Sequence, residues 1–199
     1  MSFSASDVKD LREKTGAGMM DCKTALAESK GNMEMAIDYL RKKGLAAMGK
    51  KASREAKEGT IGTYVHNGKI GVMVEVNCET DFVARNEDFQ NFVKDVAMQI
   101  AATDPAFLKA ADMDAKFIEK ERQIYAEQLR ASGKPENMID KIVDGKISKL
   151  STEVCLLEQK FVKDQDKTIT SLLADLTLKL GEKIEIRRFV RYALAQELN

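Results

Sequence analysis

The sequence predicts an α+β fold, in which a small helical bundle precedes an antiparallel sheet that helices cover. In residues 1–45, apolar residues recur at helical spacing and side chains that can cap helices are present. Two β-branched runs then flank an Asn-Gly pair, which is typical of a hairpin. Farther along, two amphipathic segments with a short Gly-containing connection predict a helical hairpin over residues 115–151.

Three short helices are predicted in residues 1–45, where they form a compact bundle. Asp21 is placed to cap the second helix, and Asn32 is placed to cap the third. Gly44 is expected to follow the end of the third helix, since glycine often terminates helices.

Two glycines and two adjacent methionines connect the first and second predicted helices. Gly16 and Gly18 permit tight turns, and adjacent residues cannot easily share one inward-facing stripe, so one of Met19 and Met20 is expected to be exposed. The alternative is a methionine pair that fills the core beneath the turn. A phosphate-binding loop is disfavoured because such a loop should follow a strand, whereas this one follows a helix.

Residues 46–58 are expected to link this bundle to a core domain, residues 59–199. The segment from Arg41 to Lys57 carries seven basic residues and one acidic residue, Glu55. Such a run can contact RNA or an acidic partner, but without interleaved aromatic rings it is more typical of a solvated linker or helix end. Gly44 and Gly49 argue against a continuous helix across it.

The core domain is predicted to begin with a β-hairpin. Residues 60–65 and 70–76 are the strands, and Asn67-Gly68 lies in the turn. Asn86 can cap the helix that follows. Residues 87–102 carry a helical apolar stripe that can cover one face of the sheet: Phe89, Phe92, Val93, Val96 and Ile100.

Asp81 and Phe82 are predicted to lie in the connector between the second strand and that helix. Connectors on rigid scaffolds often carry contact residues, and a ring beside a carboxylate suits insertion into a partner that holds a cation or phosphate. Because most phenylalanines in proteins are buried, residue statistics alone favour the alternative that the Phe82 ring is part of the core rather than a partner contact.

The helical hairpin is predicted as residues 115–131 and 135–150, with Gly133 as helix stop and Pro135 as helix start. Its charge-rich exterior indicates a projecting coiled-coil-like arm. Six apolar side chains are expected to pack within it: Phe117, Ile124, Leu129, Met138, Ile142 and Ile147. A helix over 168–180, a half-exposed strand over 183–191 and a helical tail over 192–198 complete the domain.

Composition excludes some function classes and selects no partner. The chain has 199 residues, 44% of them hydrophobic, and 32 basic residues balance 32 acidic ones, which argues against a nucleic-acid backbone as main partner. Neither a signal-peptide core nor an apolar span of membrane length is evident, so we expect a cytosolic protein without membrane contact.

No catalytic constellation or strong metal motif is evident. His66 is the only histidine and is typical of a polar turn residue, with no Ser-His-Asp or paired-carboxylate motif around it. Cys22, Cys78 and Cys155 fit reduced thiols better than a disulfide framework. A zinc site built from these cysteines and His66 is conceivable but lacks close ligand spacing.

Three motifs together resemble the translation elongation factor Ts family, and the resemblance runs nearly end to end. They are Thr15-Gly-Ala-Gly-Met-Met-Asp-Cys-Lys23, Val76-Asn-Cys-Glu-Thr-Asp-Phe-Val-Ala84, and Phe161-Val162 with Lys167-Thr168. The resemblance implies an N-terminal bundle of the ubiquitin-associated type and a helical arm. It also implies guanine-nucleotide exchange on elongation factor Tu, a GTPase that itself binds the nucleotide and Mg²⁺, so that the chain needs no cofactor.

The resemblance also implies roles for particular residues. Thr80, Asp81, Phe82 and Val83 look like the segment that inserts into the GTPase, shifts its helices and disturbs Mg²⁺ binding. Arg12, Met19 and Met20 look like the docking contact, and His66 looks like a histidine that faces the GTPase.

This chain departs from longer relatives, in which the His66 and Phe82 patterns belong to two related sheet subdomains. In this chain a single sheet subdomain carries both patterns. We therefore expect a homodimer in which a second protomer covers the surface that longer relatives cover internally. Two other classes stay open: a helical-bundle adaptor for ubiquitin-like or nascent-chain partners, and an enzyme that binds phosphate at Gly16–Gly18.

Overall fold

The computed structural model describes residues 3–196 and confirms the α+β class. The chain forms two compact units, one comprising the residues up to Met98 and from Thr170 onward, the other comprising Gln99–Ile169. The helices of the described residues are α1 (Ala5–Thr15), α2 (Met19–Glu28), α3 (Met33–Lys51), α4 (Asp81–Ala84), α5 (Glu87–Thr103), α6 (Ala115–Ala131), α7 (Glu136–Val154) and α8 (Ile169–Leu180). The strands are β1 (Glu58–His66), β2 (Ile70–Cys78), β3 (Lys160–Phe161), β4 (Asp164–Thr168) and β5 (Ile184–Ala193).

The predicted N-terminal bundle is present as α1, α2 and α3. Its shared core includes Leu11, Cys22, Leu26 and Leu40, all buried. Asn32 caps α3 as predicted, since its side chain accepts a hydrogen bond from Met35 N.

The prediction that Asp21 caps the second helix is wrong. Helix α2 begins two residues earlier, at Met19, after Gly18 in extended conformation. The Asp21 carboxylate instead binds Lys43 Nζ on α3 at 2.7 Å. Asp21 therefore ties two helices of the bundle together.

The predicted end of the third helix at Gly44 is also wrong, because α3 continues through Gly44 and Gly49 to Lys51. A Cβ atom at position 44 would lie 3.0 Å from the carbonyl oxygen of Ala174 on α8. Gly44 thus allows close packing of α3 on α8 instead of ending the helix. Most of the basic residues between Arg41 and Lys57 lie on this helix. The boundaries of the interdomain linker, residues 46–58, stay a prediction.

The predicted hairpin is confirmed, and the sheet has a third strand. Asn67 and Gly68 adopt positive φ angles of 49° and 68°, as the two central residues of a type I′ turn require, and Lys69 N donates to His66 O at 2.9 Å. The strand order is β1-β2-β5, with both pairs antiparallel. The half-exposed strand predicted over 183–191 is confirmed as β5, and residues 192–193 belong to this strand rather than to a helical tail. Of the predicted tail, residues 197–198 lie outside the described residues.

Helix α5 covers one face of this sheet, as predicted. Its stripe is buried at Phe89, Val93 and Val96, and Val72, Val74 and Val76 of β2 are buried as well. A Cβ atom at Gly62 on β1 would collide with the Val93 side chain, so glycine permits the close approach of α5. Asn86 begins α5, since its side-chain oxygen accepts from Asp88 N at 2.9 Å.

The helical hairpin of the second unit is confirmed, with two corrections. Helix α6 has the predicted bounds, but α7 extends to Val154 instead of residue 150. Leu129, Ile139 and Val143 form its buried core. Met138, which was expected to pack there, is 51% exposed because the neighbouring Ile139 occupies the inward position.

Candidate partner-binding site

The segment after β2 is a single helical turn, α4, instead of an irregular connector. Thr80 begins it in extended conformation, and its hydroxyl accepts a hydrogen bond from Val83 N at 3.4 Å. The Phe82 side chain on this turn is 82% exposed. The core-ring alternative for Phe82 is therefore wrong, and the ring is free to contact a partner.

Asp81 lies beside Phe82, and the guanidinium of Arg85 partly neutralises the negative charge of Asp81. Its carboxylate pairs with Arg85 at 2.9 Å, and the side chains of Asp81 and Arg85 are 46% and 78% exposed. Exposed pairs of this kind contribute little to stability, so a partner can separate them at small cost. Val83 is half-buried, whereas Ala84 is buried against the unit.

Glu182 is a residue of this site that sequence reasoning missed. One oxygen of its carboxylate accepts from the N–H groups of Glu79 and Thr80, at 3.1 and 3.0 Å, and the other accepts from the Thr80 hydroxyl at 2.7 Å. The partners lie 102 to 103 residues apart in the sequence, so no local pattern could have indicated the contact.

The Glu79 side chain makes the reciprocal contact. Its carboxylate accepts from Lys183 N, and Arg54 Nη1 lies 3.1 Å from it. The Lys183 N–H lowers the pKa of the Glu79 carboxyl most, partial burial opposes that shift, and Arg54 adds to it. Two carboxylates thus tie the end of β2 to the residues that precede β5.

The Cys78 thiol lies beneath this turn. It is buried and donates to the carbonyl oxygen of Thr80 at 3.1 Å. Burial, with the nearby Glu182 charge, raises the pKa of the thiol to about 11, so it stays protonated at neutral pH. Cys22, Cys78 and Cys155 are all free and buried.

His66 lies at the other end of the sheet. It is exposed at the end of β1, opposite Ile70 in the register, and its Nδ1 lies 3.1 Å from the Tyr64 hydroxyl. Phe82 follows the far end of β2, so the structure does not bring these two predicted contact residues together.

Met19 and Met20 are both exposed, at 58% and 70%, and Arg12 is exposed on α1. The core-filling alternative for the methionines is therefore wrong, and so is the expectation that only one of them is exposed. Gly16 ends α1 with φ of 68°, and Gly18 precedes α2. The two glycines thus place the first turn of α2 in solvent. The segment that contains them connects two helices and does not follow a strand.

Residues 3–196 contain no group of three or more His, Cys, Asp or Glu side chains arranged to hold a metal ion. Among the same residues, none of the helices has the length and apolar character needed to cross a membrane.

Comparison with known proteins identifies the family. Residues 30–196 match the family model described as Elongation factor TS. The chain belongs to the elongation factor Ts family. Elongation factor Ts of Geobacter metallireducens is 57% identical over 199 residues, which is 100% of this chain and 92% of the relative. The Desulforamulus reducens protein of the same name is 56% identical over 197 residues, covering 98% of this chain and 91% of the relative.

Membership of the elongation factor Ts family assigns the chain to translation elongation in protein biosynthesis. The matched range contains His66 and the segment Thr80–Val83, whereas Arg12, Met19 and Met20 precede it. The full-length relatives extend over those three residues too.

Proposed function

We propose that the chain is a guanine-nucleotide exchange factor that binds elongation factor Tu and promotes GDP release. The observation that carries the proposal is Phe82, a ring 82% exposed on a helical turn that four hydrogen bonds to and from Thr80 and Glu182 hold in place. An exposed aromatic residue on a rigid support is typical of a residue that anchors a protein interface.

Exchange of this kind is conformational coupling and needs no covalent chemistry. If the factor weakens nucleotide binding by a given ratio, nucleotide weakens factor binding by the same ratio. The factor must therefore prefer a GTPase conformation that holds Mg²⁺ and phosphate poorly. The nucleotide and the metal belong to the GTPase, and the chain itself requires no cofactor and is not an enzyme in the usual sense.

Phe82 supplies the preference for that conformation. Burial of its ring in the partner contributes about 1.5 to 3 kcal/mol, which corresponds to roughly a tenfold to hundredfold effect if the contact forms only in the nucleotide-poor state. Asp81, once separated from Arg85, places negative charge near the Mg²⁺ environment and disturbs its ligands. Thr80 and Val83 fix the turn that carries both residues.

A second contact docks the factor. The exposed Met19 and Met20, with Arg12 nearby on the bundle, offer an apolar and basic surface separate from the Phe82 turn. Flexible methionines adapt well to a partner surface. Docking there raises the local concentration of Phe82 at the GTPase without itself altering nucleotide affinity.

The chain is further proposed to act as a homodimer through the uncovered face of its sheet. Five large apolar side chains on this face are exposed: Ile61, Val65, Met73, Val190 and Tyr192. The cross-strand pairs Thr63–Met73 and Met73–Val190 place Met73 at its centre. A second copy brings an identical apolar face, and stacking two such faces forms a sheet sandwich that excludes water from both.

The deciding experiment is stopped-flow release of fluorescent GDP from elongation factor Tu, with and without this chain. Exchange activity predicts faster release that saturates with factor concentration. A helical-bundle adaptor predicts binding with unchanged release, and that result would overturn the proposal. Binding of labelled GDP to the isolated chain would instead support a nucleotide-binding enzyme.

A further inference from the structure

We propose that Glu182 is a positioning residue for nucleotide exchange, holding helix α4 so that Phe82 points outward before the partner arrives. The inference rests on the proposed exchange function and names a residue outside the segment that contacts the GTPase. Glu182 lies in the connection between α8 and β5, far from Phe82 in sequence.

Helix α4 needs support because a single turn is unstable by itself. It has four residues, whereas isolated helices are marginal below about 12 to 15 residues. Phe82 is too exposed to anchor the turn through its own packing. The direction of the ring therefore depends on the residues that hold the start of the turn.

Thr80 is that start, and Glu182 holds Thr80 at two points. The backbone N–H of Thr80 donates to one carboxylate oxygen, and its hydroxyl donates to the other. The same hydroxyl accepts from Val83 N, so a continuous chain of hydrogen bonds runs from Glu182 into α4. Hydrogen bonds to a carboxylate are about twice as strong as neutral ones.

Only a carboxylate satisfies all these donors at once. The N–H groups of Glu79 and Thr80 follow the last paired residue of β2, so the sheet offers them no carbonyl acceptor. One oxygen of Glu182 takes both N–H groups, while its second oxygen takes the hydroxyl. An amide at this position keeps one acceptor oxygen and loses the charge.

Glu79 provides a matched control because it ties the same two segments without holding α4. Its carboxylate accepts from Lys183 N and pairs with Arg54, and neither contact includes a residue of the turn. Loss of either carboxylate weakens the connection between β2 and β5. Loss of Glu182 alone removes the acceptors of the Thr80 N–H and of the Thr80 hydroxyl.

The test compares Glu182→Ala, Glu79→Ala and Phe82→Ala as full-length proteins in the GDP-release assay with elongation factor Tu. We expect Glu182→Ala to reduce the maximal release rate at least fivefold with a half-saturating concentration within twofold of the parent. Glu79→Ala should keep the maximal rate within twofold, although both glutamate variants unfold at lower temperature. Equal loss of maximal rate in both would assign Glu182 a merely structural role and overturn the proposal.

Two further readouts separate the positioning role from a loss of stability, and the second is also independent of the exchange function. Thr80→Ser should retain the maximal rate, and Thr80→Val should lose it, since only serine keeps the hydroxyl that links Glu182 to Val83. Hydrogen–deuterium exchange of residues 81–85 in the free protein should be at least fivefold faster in Glu182→Ala and unchanged in Glu79→Ala.

The outcomes separate the positioning role of Glu182 from the exchange function. Slow release with Phe82→Ala and parental release with Glu182→Ala would overturn the positioning role alone. Failure of the parent chain to accelerate release would overturn the exchange function, while the amide-exchange comparison would still decide whether Glu182 holds α4.

Discussion

His66 and Phe82 lie beyond opposite ends of strand β2. His66 is paired with Ile70 at the start of the strand, and Phe82 follows Cys78 at its end. Eight residue steps at about 3.3 Å each separate the two ends of β2, Ile70 and Cys78, by about 26 Å. One protomer therefore cannot direct both residues at the same point of a partner.

The dimer prediction follows from this separation and from the apolar sheet face. Met73→Asp should convert the dimer to a monomer, because each interface would then bury two unpaired carboxylates. Sedimentation at micromolar concentration measures the change. Met138→Asp on the helical arm is the matched control, since Met138 is exposed to a similar degree, 51% against 50% for Met73. A monomeric parent chain, free and bound to the GTPase, would contradict the prediction.

Shared sites within the dimer can be tested by mixing two variants that are each impaired in GDP release. Phe82→Ala and His66→Ala protomers, combined under subunit exchange, should release GDP faster than either parent variant. Such recovery is expected because a mixed dimer contains one site with both residues intact. Release no faster than the average of the two variants would mean that the sites act separately.

Phe82→Ala by itself should slow GDP release tenfold to hundredfold, the effect expected from loss of about 1.5 to 3 kcal/mol of ring burial. Its melting temperature should stay close to that of the parent, since the ring is 82% exposed and supports no core. Stopped-flow release and thermal unfolding measure the two quantities. Unchanged release at unchanged stability would exclude Phe82 as the inserting residue.

The double substitution Met19→Ala and Met20→Ala should weaken docking without changing the exchange step. We expect the half-saturating concentration in GDP release to rise roughly tenfold or more, because two exposed methionines no longer become buried in the partner. The maximal rate should be preserved. Met35→Ala is the control on the same bundle, being 59% exposed on α3.

Substitution tests this docking surface better than truncation after Gly44. A cut at Gly44 would divide α3 in its middle and uncover the surface of α8 around Ala174. Weaker binding would then report damage to the remaining fold. An equal effect of Met35→Ala and of the double substitution would argue against specific docking through α2.

Glu79 should contribute stability that depends on pH. Because the Lys183 N–H lowers the pKa of its carboxyl in the folded state, the contribution is complete above the unfolded-state pKa of about 4.3. It is lost as pH falls through the lower folded-state pKa. Glu79→Gln should therefore lower the melting temperature at pH 7, and the difference from the parent should shrink below about pH 4.

The control for this pH dependence is Glu55→Gln. Glu55 pairs with Lys57 at 2.9 Å, but both side chains are 77% exposed. Such a pair contributes little, so the melting temperature of this variant should follow the parent at every pH. A melting-temperature difference between Glu79→Gln and the parent that stays constant down to pH 3 would contradict the proposed role of the ionised Glu79 carboxyl.

Local signals predicted the elements whose stabilising contacts are close in sequence. Asn67-Gly68 specifies the hairpin turn because its left-handed backbone suits those two residues, and Asn32 caps a helix through a donor three residues away. The strand predicted over 70–76 is present, and the structure places Val72, Val74 and Val76 on its buried face. The motif around Phe82 predicts the partner-binding segment, and the structure shows the ring exposed, although residue statistics alone favoured its burial.

Tertiary structure decided what depends on contacts distant in sequence. The sequence predicts a helix stop at Gly44, whereas the folded chain packs Ala174 against it. A strand was predicted over 183–191, but only the folded chain shows that it pairs with β2 as the third strand of the sheet. The hold of Glu182 on Thr80 spans 102 residues. Sequence by itself determined which turns and helices this chain can form, because backbone conformation and capping are local. The structure alone decided how Phe82 is supported, because the hydrogen-bond acceptors at its base are supplied by a remote loop that only folding brings near.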